Sequence, residues 1–297
     1  MSIPVFPAKT ILSPKKDYSS WFGYDYNMNL YRGCNHGCIY CDSRSQCYGI
    51  TSFDTVCVKE NALLLLEKEL ISKRKRGIVG SGAMSDPYNP FEKELNLTAN
   101  ALALLYRYHY GVALFTKSPL VTRDLALLSK INHQQPVLCA ITVTTAEDSL
   151  SKVLEPHAPS SSLRLKAIQD LSKAGIYAGV LLTPVLPFLT DTSDQIEALV
   201  ELSYQHGAAF IYTFLGMTLR DIQRNYYYHH LDLHFPGLKK KYISTFGSNY
   251  FCAARNQNHL WEVFASACEK RKIPYTMEEI IYGYQKNKGT VQLSFFK

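Results

Sequence analysis

Short apolar runs alternate with segments of helical period along most of this chain. Residues 60–75 form the first such segment, where Leu63, Leu66 and Leu70 would share one face of a helix. Residues 77–82, with the sequence GIVGSG, then form an apolar run bounded by glycines. A run of this length between turn residues predicts a buried strand, so the first unit is a helix followed by a strand.

The same rhythm recurs along the next 130 or so residues. Further strands are predicted at residues 112–116, 137–143, 176–182 and 210–214. The helices between them are predicted to begin at Thr98, Thr122, Ser162 and either Thr192 or Ser193, with glycine stops at Gly111, Gly175 and Gly207. With a strand near residues 27–31, six βα units are expected. This alternation predicts an α/β protein with right-handed crossovers around a parallel sheet.

Residues 220–297 break this rhythm, and no long Gly/Ser linker separates a second domain. We therefore expect an N-terminal extension over residues 1–26, a core over residues 27–219 and a C-terminal extension over residues 220–297. The C-terminal extension is expected to cap or line one end of the core.

Composition narrows the class of protein. The chain has 297 residues, of which 46% are hydrophobic and 19% charged, and this excludes a disordered or collagen-like protein. The longest apolar stretch, residues 179–189, is interrupted by Pro184 and Pro187 and is too short to span a membrane. The N-terminus has no charged region followed by an apolar one, so we expect no signal peptide, no membrane contact and a cytoplasmic location.

The net charge of +7 is unevenly distributed, since residues 220–297 contribute +6 of it. This part of the chain interleaves aromatic and basic side chains: Tyr226, Tyr227, Tyr228, His229, His230 and His234, then Lys239, Lys240 and Lys241. Such a pattern is typical of single-strand nucleic-acid surfaces. It is equally typical of a tyrosine-rich packing seam beneath a solvated basic face, and we favour this second interpretation because no named nucleic-acid motif accompanies it.

The strongest chemical signal is the segment YRGCNHGCIYC, which directly follows the first predicted strand. Cys34, Cys38 and Cys41 have the spacing C-x3-C-x2-C. Iron–sulfur clusters take thiolate ligands, and a [4Fe-4S] cluster held by three of them leaves one iron open for a substrate or cofactor. The alternatives are a zinc ion with His36 or Cys47 as fourth ligand, or a chance cluster of cysteines. The other cysteines, Cys57, Cys139, Cys252 and Cys268, are expected to be small buried hydrophobic residues.

The cysteine spacing with Tyr40 before the third cysteine resembles the signature of the radical S-adenosylmethionine (radical SAM) superfamily. Within it, residues 82–92, 115–118, 142–145 and 154–168 resemble the spore photoproduct lyase-related subfamily of DNA repair photolyase-like proteins. The resemblance covers residues 29–191. It implies a partial (β/α)6 TIM-type barrel, which agrees with the six predicted units.

Polar residues directly after successive strands should converge at the mouth of such a barrel. They are Ser85, Asp86, Lys117, Thr142 and Thr144. The resemblance implies that the segment with Ser85 and Asp86 binds the amino group of SAM and that Lys117 binds its carboxylate. Tyr40 is assigned to the same cofactor site. Glu155 and Arg164, in the segment EPHAPSSSLR, are expected to have structural roles, and no catalytic residue is assigned.

The resemblance implies that reductive cleavage of SAM generates a 5′-deoxyadenosyl radical, which abstracts hydrogen from a substrate in the barrel. Expected partners are SAM, an electron donor such as flavodoxin or ferredoxin, and nucleic acid as one candidate. The substrate is a nucleic acid or nucleotide in one hypothesis and a peptide or small molecule in another. A third hypothesis is a noncatalytic iron–sulfur or zinc protein.

The chain also departs from the lyase pattern. Ala83 stands where the lyase has its hydrogen-donating cysteine, and Asp42 stands where it has a tyrosine of the same relay. We therefore expect an enzyme other than spore photoproduct lyase itself.

Overall fold

The fold was analysed in a computed structural model, which describes residues 3–15 and 21–286. The strands are β1 Val5–Phe6, β2 Leu12–Pro14, β3 Tyr26–Met28, β4 Tyr31–Arg32, β5 Cys57–Lys59, β6 Ile78–Ser81, β7 Gly111–Thr116, β8 Val137–Thr142, β9 Tyr177–Leu182, β10 Ile211–Thr213, β11 Gly216–Thr218 and β12 Phe251–Ala253. The helices are α1 Ala62–Ser72, α2 Glu92–Leu95, α3 Leu97–Arg107, α4 Leu125–Gln134, α5 Asp148–Leu154, α6 Ser161–Lys173, α7 Ser193–Gln205, α8 Asp221–His234, α9 Leu238–Phe246, α10 Gln257–Lys270 and α11 Met277–Gln285.

The main sheet has the strand order β10-β9-β8-β7-β6-β3-β2. Strands β3 and β6 to β10 are all parallel to their neighbours, and β2 is added antiparallel to β3. The six parallel strands are those predicted from the sequence, so the α/β prediction is confirmed. Every residue of β7 and β8 is buried, as expected for parallel strands covered on both faces.

Two apolar layers flank this sheet. The outer layer packs helices against strands and includes Val112, Leu114 and Cys139. The inner layer fills the barrel and is mainly aromatic, with Phe22, Tyr24, Phe115, Phe210 and Tyr284 among its buried members. Because alternate residues of a strand point to opposite faces, Phe115 in β7 faces inward while Leu114 faces the helices.

Some element boundaries differ from the predicted ones. The predicted strand at residues 27–31 is divided, because the chain leaves the main sheet after Met28 and β4 pairs instead with β5 in a separate three-stranded sheet. The helical segment predicted from Thr122 begins with a 3-10 turn capped by Ser118. Ser160, two residues before the predicted Ser162, caps α6 by accepting from the N–H of Leu163.

The C-terminal residues contact several parts of the barrel. Helix α10 packs against α7, α11 packs against residues 21–23, and α8 packs beside residues 42–44. The predicted domain limits remain a prediction, and residues 1–2, 16–20 and 287–297 of the two predicted extensions lie outside the described residues. Within residues 3–15 and 21–286, none of the helices has the length and apolar character that a membrane span requires.

The tyrosine-rich segment of α8 is mostly buried. Tyr227 and Tyr228 belong to an apolar cluster with Tyr242. Tyr227 and Tyr242 hydrogen bond through their hydroxyls at 2.9 Å, and the Tyr242 hydroxyl also donates to the carbonyl of Pro187 at 2.8 Å. Lys239 forms an ion pair with Asp232 at 2.6 Å. The interpretation of this segment as a packing seam is therefore confirmed for these tyrosines.

Candidate active site

The three clustered cysteines lie in a loop that runs from β4 to a 3-10 turn at Asp42–Arg44. Gly33 has φ of +79°, and a β-carbon there would lie 2.3 Å from the carbonyl oxygen of Thr55. Two backbone hydrogen bonds anchor the loop, from Cys34 N to Phe53 O at 2.8 Å and from Ile39 N to Leu154 O at 2.9 Å. Glycine is required at position 33 because the loop passes this close to its neighbour.

The three thiols lie in one loop, where Cys38 is buried and Cys34 and Cys41 are half-buried. Burial raises the pKa of Cys34 and of Cys38 to about 12 and that of Cys41 to about 11. The charge of Cys38 further raises the pKa of Cys41, whereas the Lys117 ammonium lowers that of both Cys38 and Cys41. Thiolates in this loop therefore need a cationic centre to stabilise them, and an iron–sulfur cluster would supply one.

The candidates for a fourth zinc ligand lie elsewhere. The Nδ1 atom of His36 is 3.4 Å from an oxygen of Asp86, and burial lowers the pKa of His36 although Asp86 opposes this. Cys47 is exposed, and its sulfur accepts from the Ser45 hydroxyl at 3.2 Å. Among the described residues, no group of three or more His, Cys, Asp or Glu side chains is placed to hold a metal ion. Three clustered cysteines without a fourth protein ligand in the described part of the chain fit the donor set of a cluster with an open iron better than that of a zinc ion.

Asp86 connects the segment after β6 with the end of β7 and with the cluster loop. One carboxylate oxygen accepts from the N–H of Tyr88 at 2.9 Å and from the hydroxyl of Thr116 at 2.6 Å. The other accepts from the N–H of Lys117 at 2.8 Å and faces His36. A carboxylate has about four acceptor positions, so these contacts use nearly all of them. Asp86 is thus a positioning residue in this structure, and its predicted contact with SAM stays a prediction.

The Lys117 ammonium lies beside the cluster loop. It is 5.7 Å from the ring centroid of Tyr40. Burial alone would lower the pKa of Lys117, but the charges of Cys38 and Glu155 outweigh burial and raise it. Within the described part of the chain, this ammonium makes neither a hydrogen bond nor a direct ion pair. It therefore stays protonated and is available to an anionic group of a ligand.

A fully buried ion pair lies beneath the loop. Glu155 pairs with Arg164 and accepts a hydrogen bond from the hydroxyl of Tyr40. Glu155 also accepts from the hydroxyl of Thr144 at 3.2 Å, and Arg164 donates to the carbonyl of Thr142 at 3.1 Å. The sequence alone predicts loop and helix-cap roles for Glu155 and Arg164 and does not connect them with Tyr40. Their opposite charges, nine positions apart, were the only available signal.

The remaining predicted residues also lie at this end of the sheet. Ser85 is buried directly before Asp86, and Thr142 is buried at the end of β8. Their hydroxyls make no hydrogen bond to other described residues. Thr144 differs, because its hydroxyl is engaged with Glu155. Among the predicted site residues, Ser85, Thr142 and Lys117 therefore have side chains without a hydrogen-bond partner in the described part of the chain.

Helix α8 covers the other side of the cluster loop, which sequence reasoning did not foresee in detail. Gln223 donates to the carbonyl of Tyr40 at 3.1 Å. Asp42, next to Cys41, accepts from Thr218 at 2.8 Å and from Arg220 at 2.7 Å. These contacts fix the start of α8 against the loop that carries the thiols.

The family follows from comparison with known proteins. A model of the Radical SAM superfamily matches residues 28–203. This chain therefore belongs to the radical SAM superfamily, whose members are enzymes that use a [4Fe-4S] cluster and SAM. The predictions of the family, the fold class and these two cofactors are confirmed at this level.

Two uncharacterized proteins are similar to this chain in sequence. An uncharacterized protein of Mycobacterium tuberculosis is 31% identical over 226 residues, which cover 74% of this chain and 66% of that protein. An uncharacterized protein of Methanocaldococcus jannaschii is 33% identical over 172 residues, which cover 57% of this chain and 63% of that protein. The chain thus spans slightly less than two thirds of the length of these relatives.

The fold is similar to that of spore photoproduct lyase complexed with dinucleoside spore photoproduct. The TM-score is 0.66 at 16% identity, over 92% of this chain and 81% of that chain. A variant of that lyase with bound AdoMet and dinucleoside spore photoproduct gives a TM-score of 0.67 at 14% identity, with the same coverage of both chains. This similarity concerns the fold.

Proposed function

We propose that this chain binds a [4Fe-4S] cluster through Cys34, Cys38 and Cys41 and cleaves SAM reductively to initiate radical chemistry. The observation that carries the proposal is the Lys117 ammonium, which lies 5.7 Å from the ring of Tyr40, the residue before Cys41, and has no ion-pair partner among the described residues. A bound cluster would supply one electron to SAM, whose bond from sulfur to the 5′ carbon then breaks. An electron carrier or a structural zinc protein would not need an unpaired ammonium beside its metal site.

The chain's own residues would orient SAM. Lys117 would bind the carboxylate of the methionine half by a charge-assisted hydrogen bond. The Ser85 hydroxyl would accept from its amino group, and Asp86 would hold the Ser85 and Lys117 segments at a fixed separation. Thr142 would bind ribose oxygens from the end of β8. Tyr40 would be held beside the cofactor by its hydrogen bond to Glu155.

A nucleic acid or nucleotide is the proposed substrate class. The structural relative above was solved with a dinucleoside, and the last 78 residues of this chain carry a net charge of +6. Water must be kept from a radical, and the apolar inner layer of the barrel is suited to excluding it. A flavodoxin-like or ferredoxin-like electron donor and a cytoplasmic location remain predictions from the sequence.

The proposal is tested by anaerobic reconstitution with iron and sulfide, followed by reduction in the presence of SAM. We expect the reduced cluster to show an electron paramagnetic resonance signal that changes when SAM is added. Methionine and 5′-deoxyadenosine should then accumulate together. A reconstituted, reducible cluster whose spectrum does not respond to SAM and which releases no 5′-deoxyadenosine would overturn the proposal.

A further inference from the structure

Four large aromatic side chains are exposed along the open edge of the barrel and its mouth. Phe214 directly follows β10, Tyr250 and Phe251 lie at β12, and Trp261 lies on α10. Their exposed fractions are 40%, 50%, 36% and 44% in that order. We call these four residues the aromatic band. Large apolar side chains exposed together mark interaction surfaces more often than isolated ones do.

The band borders a cavity at the edge of the main sheet. Strand β10 is an edge strand of the main sheet, and Ile211 at its start donates to the carbonyl of Pro274 at 3.0 Å. Further along, a cavity of about 550 Å³ opens between the end of β10 and α10. Phe214 lines it from the strand side and Trp261 from the helix side. An aromatic ring could therefore enter between two aromatic walls.

The band continues towards the cluster loop. The ring centroids of Phe214 and Phe251 are 5.2 Å apart. A β-carbon at Gly216, where φ is +147°, would lie 2.6 Å from the Phe251 ring. Only glycine therefore leaves room for this ring. Beyond it, the Arg220 guanidinium is 5.0 Å from the ring centroid of Tyr250. Arg220 also donates to Asp42, the residue after the last cluster cysteine.

The polar side chains around the cavity can form hydrogen bonds with the edges of nucleic-acid bases. Gln257 and Asn258 line it with amide donors and acceptors, and Glu262 adds a carboxylate. Amides pair with the edge of adenine, and a carboxylate accepts from the amino group of cytosine. Positive charge lies outside the cavity, at Arg220 beside Tyr250, where phosphates would be placed.

We infer that the aromatic band binds a single-stranded nucleic acid, with bases stacked on Phe214, Phe251 and Trp261 and the backbone directed towards Arg220. Stacking platforms combined with positive charge are the usual basis of single-strand binding. This inference rests on the proposed function, because it identifies the substrate class presented to the cluster site. The aromatic band is a different surface from the tyrosine-rich and lysine-rich segment that the sequence indicates, since Tyr227 and Tyr228 of that segment are buried.

The test is oligonucleotide binding by the anaerobically reconstituted protein, measured by fluorescence anisotropy with labelled dT12 and U12. We compare Phe251→Ala and Trp261→Ala with Phe251→Leu and Trp261→Leu, which keep apolar volume but lack a ring. Loss of one stacking ring should weaken binding by roughly fivefold to a hundredfold. The leucine variants should recover only a small part of this loss, and reductive SAM cleavage without substrate should be unchanged in all four.

Two controls make the result specific. The triple variant Lys239→Ala, Lys240→Ala, Lys241→Ala should weaken binding less than twofold at fixed salt, because these side chains lie outside the band. The chain has only two tryptophans, Trp21 and Trp261. Oligonucleotide should therefore quench the fluorescence of the native protein, and Trp261→Phe should abolish that quenching.

Several outcomes would overturn the inference. They are absence of binding at 50 mM salt, equal binding of duplex DNA, and a larger loss in the lysine variant than in the ring variants. Another is concentration-dependent dimerisation that Trp261→Leu removes, since the band would then contact a second copy of the chain. Failure of binding with normal SAM cleavage leaves the proposed function standing, so the two can be distinguished.

Discussion

The hydroxyl of Tyr40 donates a hydrogen bond to the carboxylate of Glu155, which is paired with Arg164 inside the protein. The pair therefore connects the cluster loop to α6, and Thr144 connects it to the segment after β8. Both charged side chains are fully buried. A buried ion pair is costly to break, because the remaining partner is left as an uncompensated charge.

Glu155→Gln should destabilise the protein strongly, since it leaves the Arg164 charge buried without a counter-charge. We expect a loss of about 3 to 5 kcal/mol in the free energy of unfolding, measured by urea denaturation. The matched control is Glu201→Gln, which removes a half-exposed carboxylate paired with Arg271 between α7 and α10. This control should lose less than about 1 kcal/mol. Equal losses in the two variants would contradict the assigned importance of the buried pair.

The contribution of Glu155 should also depend on pH. Burial would raise the pKa of Glu155, but Arg164 and Lys117 outweigh burial and hold the pKa below its usual value. A carboxylate with a depressed folded-state pKa stabilises the fold above its unfolded pKa of about 4.3, and this contribution is lost as pH falls through the folded value. The stability difference between the native protein and Glu155→Gln should therefore be constant from about pH 8 to pH 5 and shrink below about pH 4. A difference that grows on acidification would contradict this sign.

Local pattern was sufficient to predict the six parallel strands and the cysteine loop. Strands such as β7 and β8 are continuous apolar runs ended by turn residues, and the three cysteines lie within eight positions. Contacts between distant segments were not predictable in this way. Asp86 accepts hydrogen bonds from residues after β6 and at the end of β7 and also faces His36. Gln223 hydrogen bonds to Tyr40, which is 183 positions away in the sequence. These partners follow from how the barrel closes, which periodicity does not encode.

Cluster assembly should depend on three of the cysteines and not on the fourth one nearby. Reconstituted protein should contain about four irons and four sulfides per chain, because the three cysteines of the loop would hold one cluster. Cys34→Ala, Cys38→Ala and Cys41→Ala should each abolish the visible absorption of the cluster. Cys47→Ala is the control and should retain it, since Cys47 is exposed and contacts Ser45. Stoichiometric zinc without iron uptake would refute this prediction.

Lys117→Ala should weaken SAM binding without preventing cluster assembly. A charge-assisted hydrogen bond contributes about 1.5 to 3 kcal/mol, so affinity should fall roughly 10-fold to 150-fold in equilibrium dialysis. Iron content should stay normal, because Lys117 is not a thiolate ligand. Lys130→Ala, which changes an exposed lysine of α4, is the control and should bind SAM normally. Normal SAM affinity in Lys117→Ala would remove this residue from the proposed site.

The final prediction is that this protein does not repair spore photoproduct with multiple turnovers. The resemblance places the lyase's hydrogen-donating cysteine at Ala83, whose methyl group has no hydrogen atom suited to transfer. Asp42 stands where the lyase has a tyrosine, and its carboxylate is held by Thr218 and Arg220. Two other cysteines could be considered as donors. Cys139, however, is buried between the sheet and the helices, and Cys57 lies on a separate sheet.

Reconstituted protein should therefore cleave SAM while giving little or no thymine product from dinucleoside spore photoproduct, as measured by liquid chromatography. Ala83→Cys is the informative variant, because it restores a thiol at the position that the resemblance aligns with the lyase's donor, two residues before Ser85. Repair gained in Ala83→Cys, with unchanged SAM cleavage, would show that the donor alone is missing. Repair that stays absent would indicate that Asp42 or substrate positioning also blocks the reaction. Efficient repair by the native chain would refute the prediction directly, since this chain would then have to use a hydrogen donor other than a cysteine at position 83.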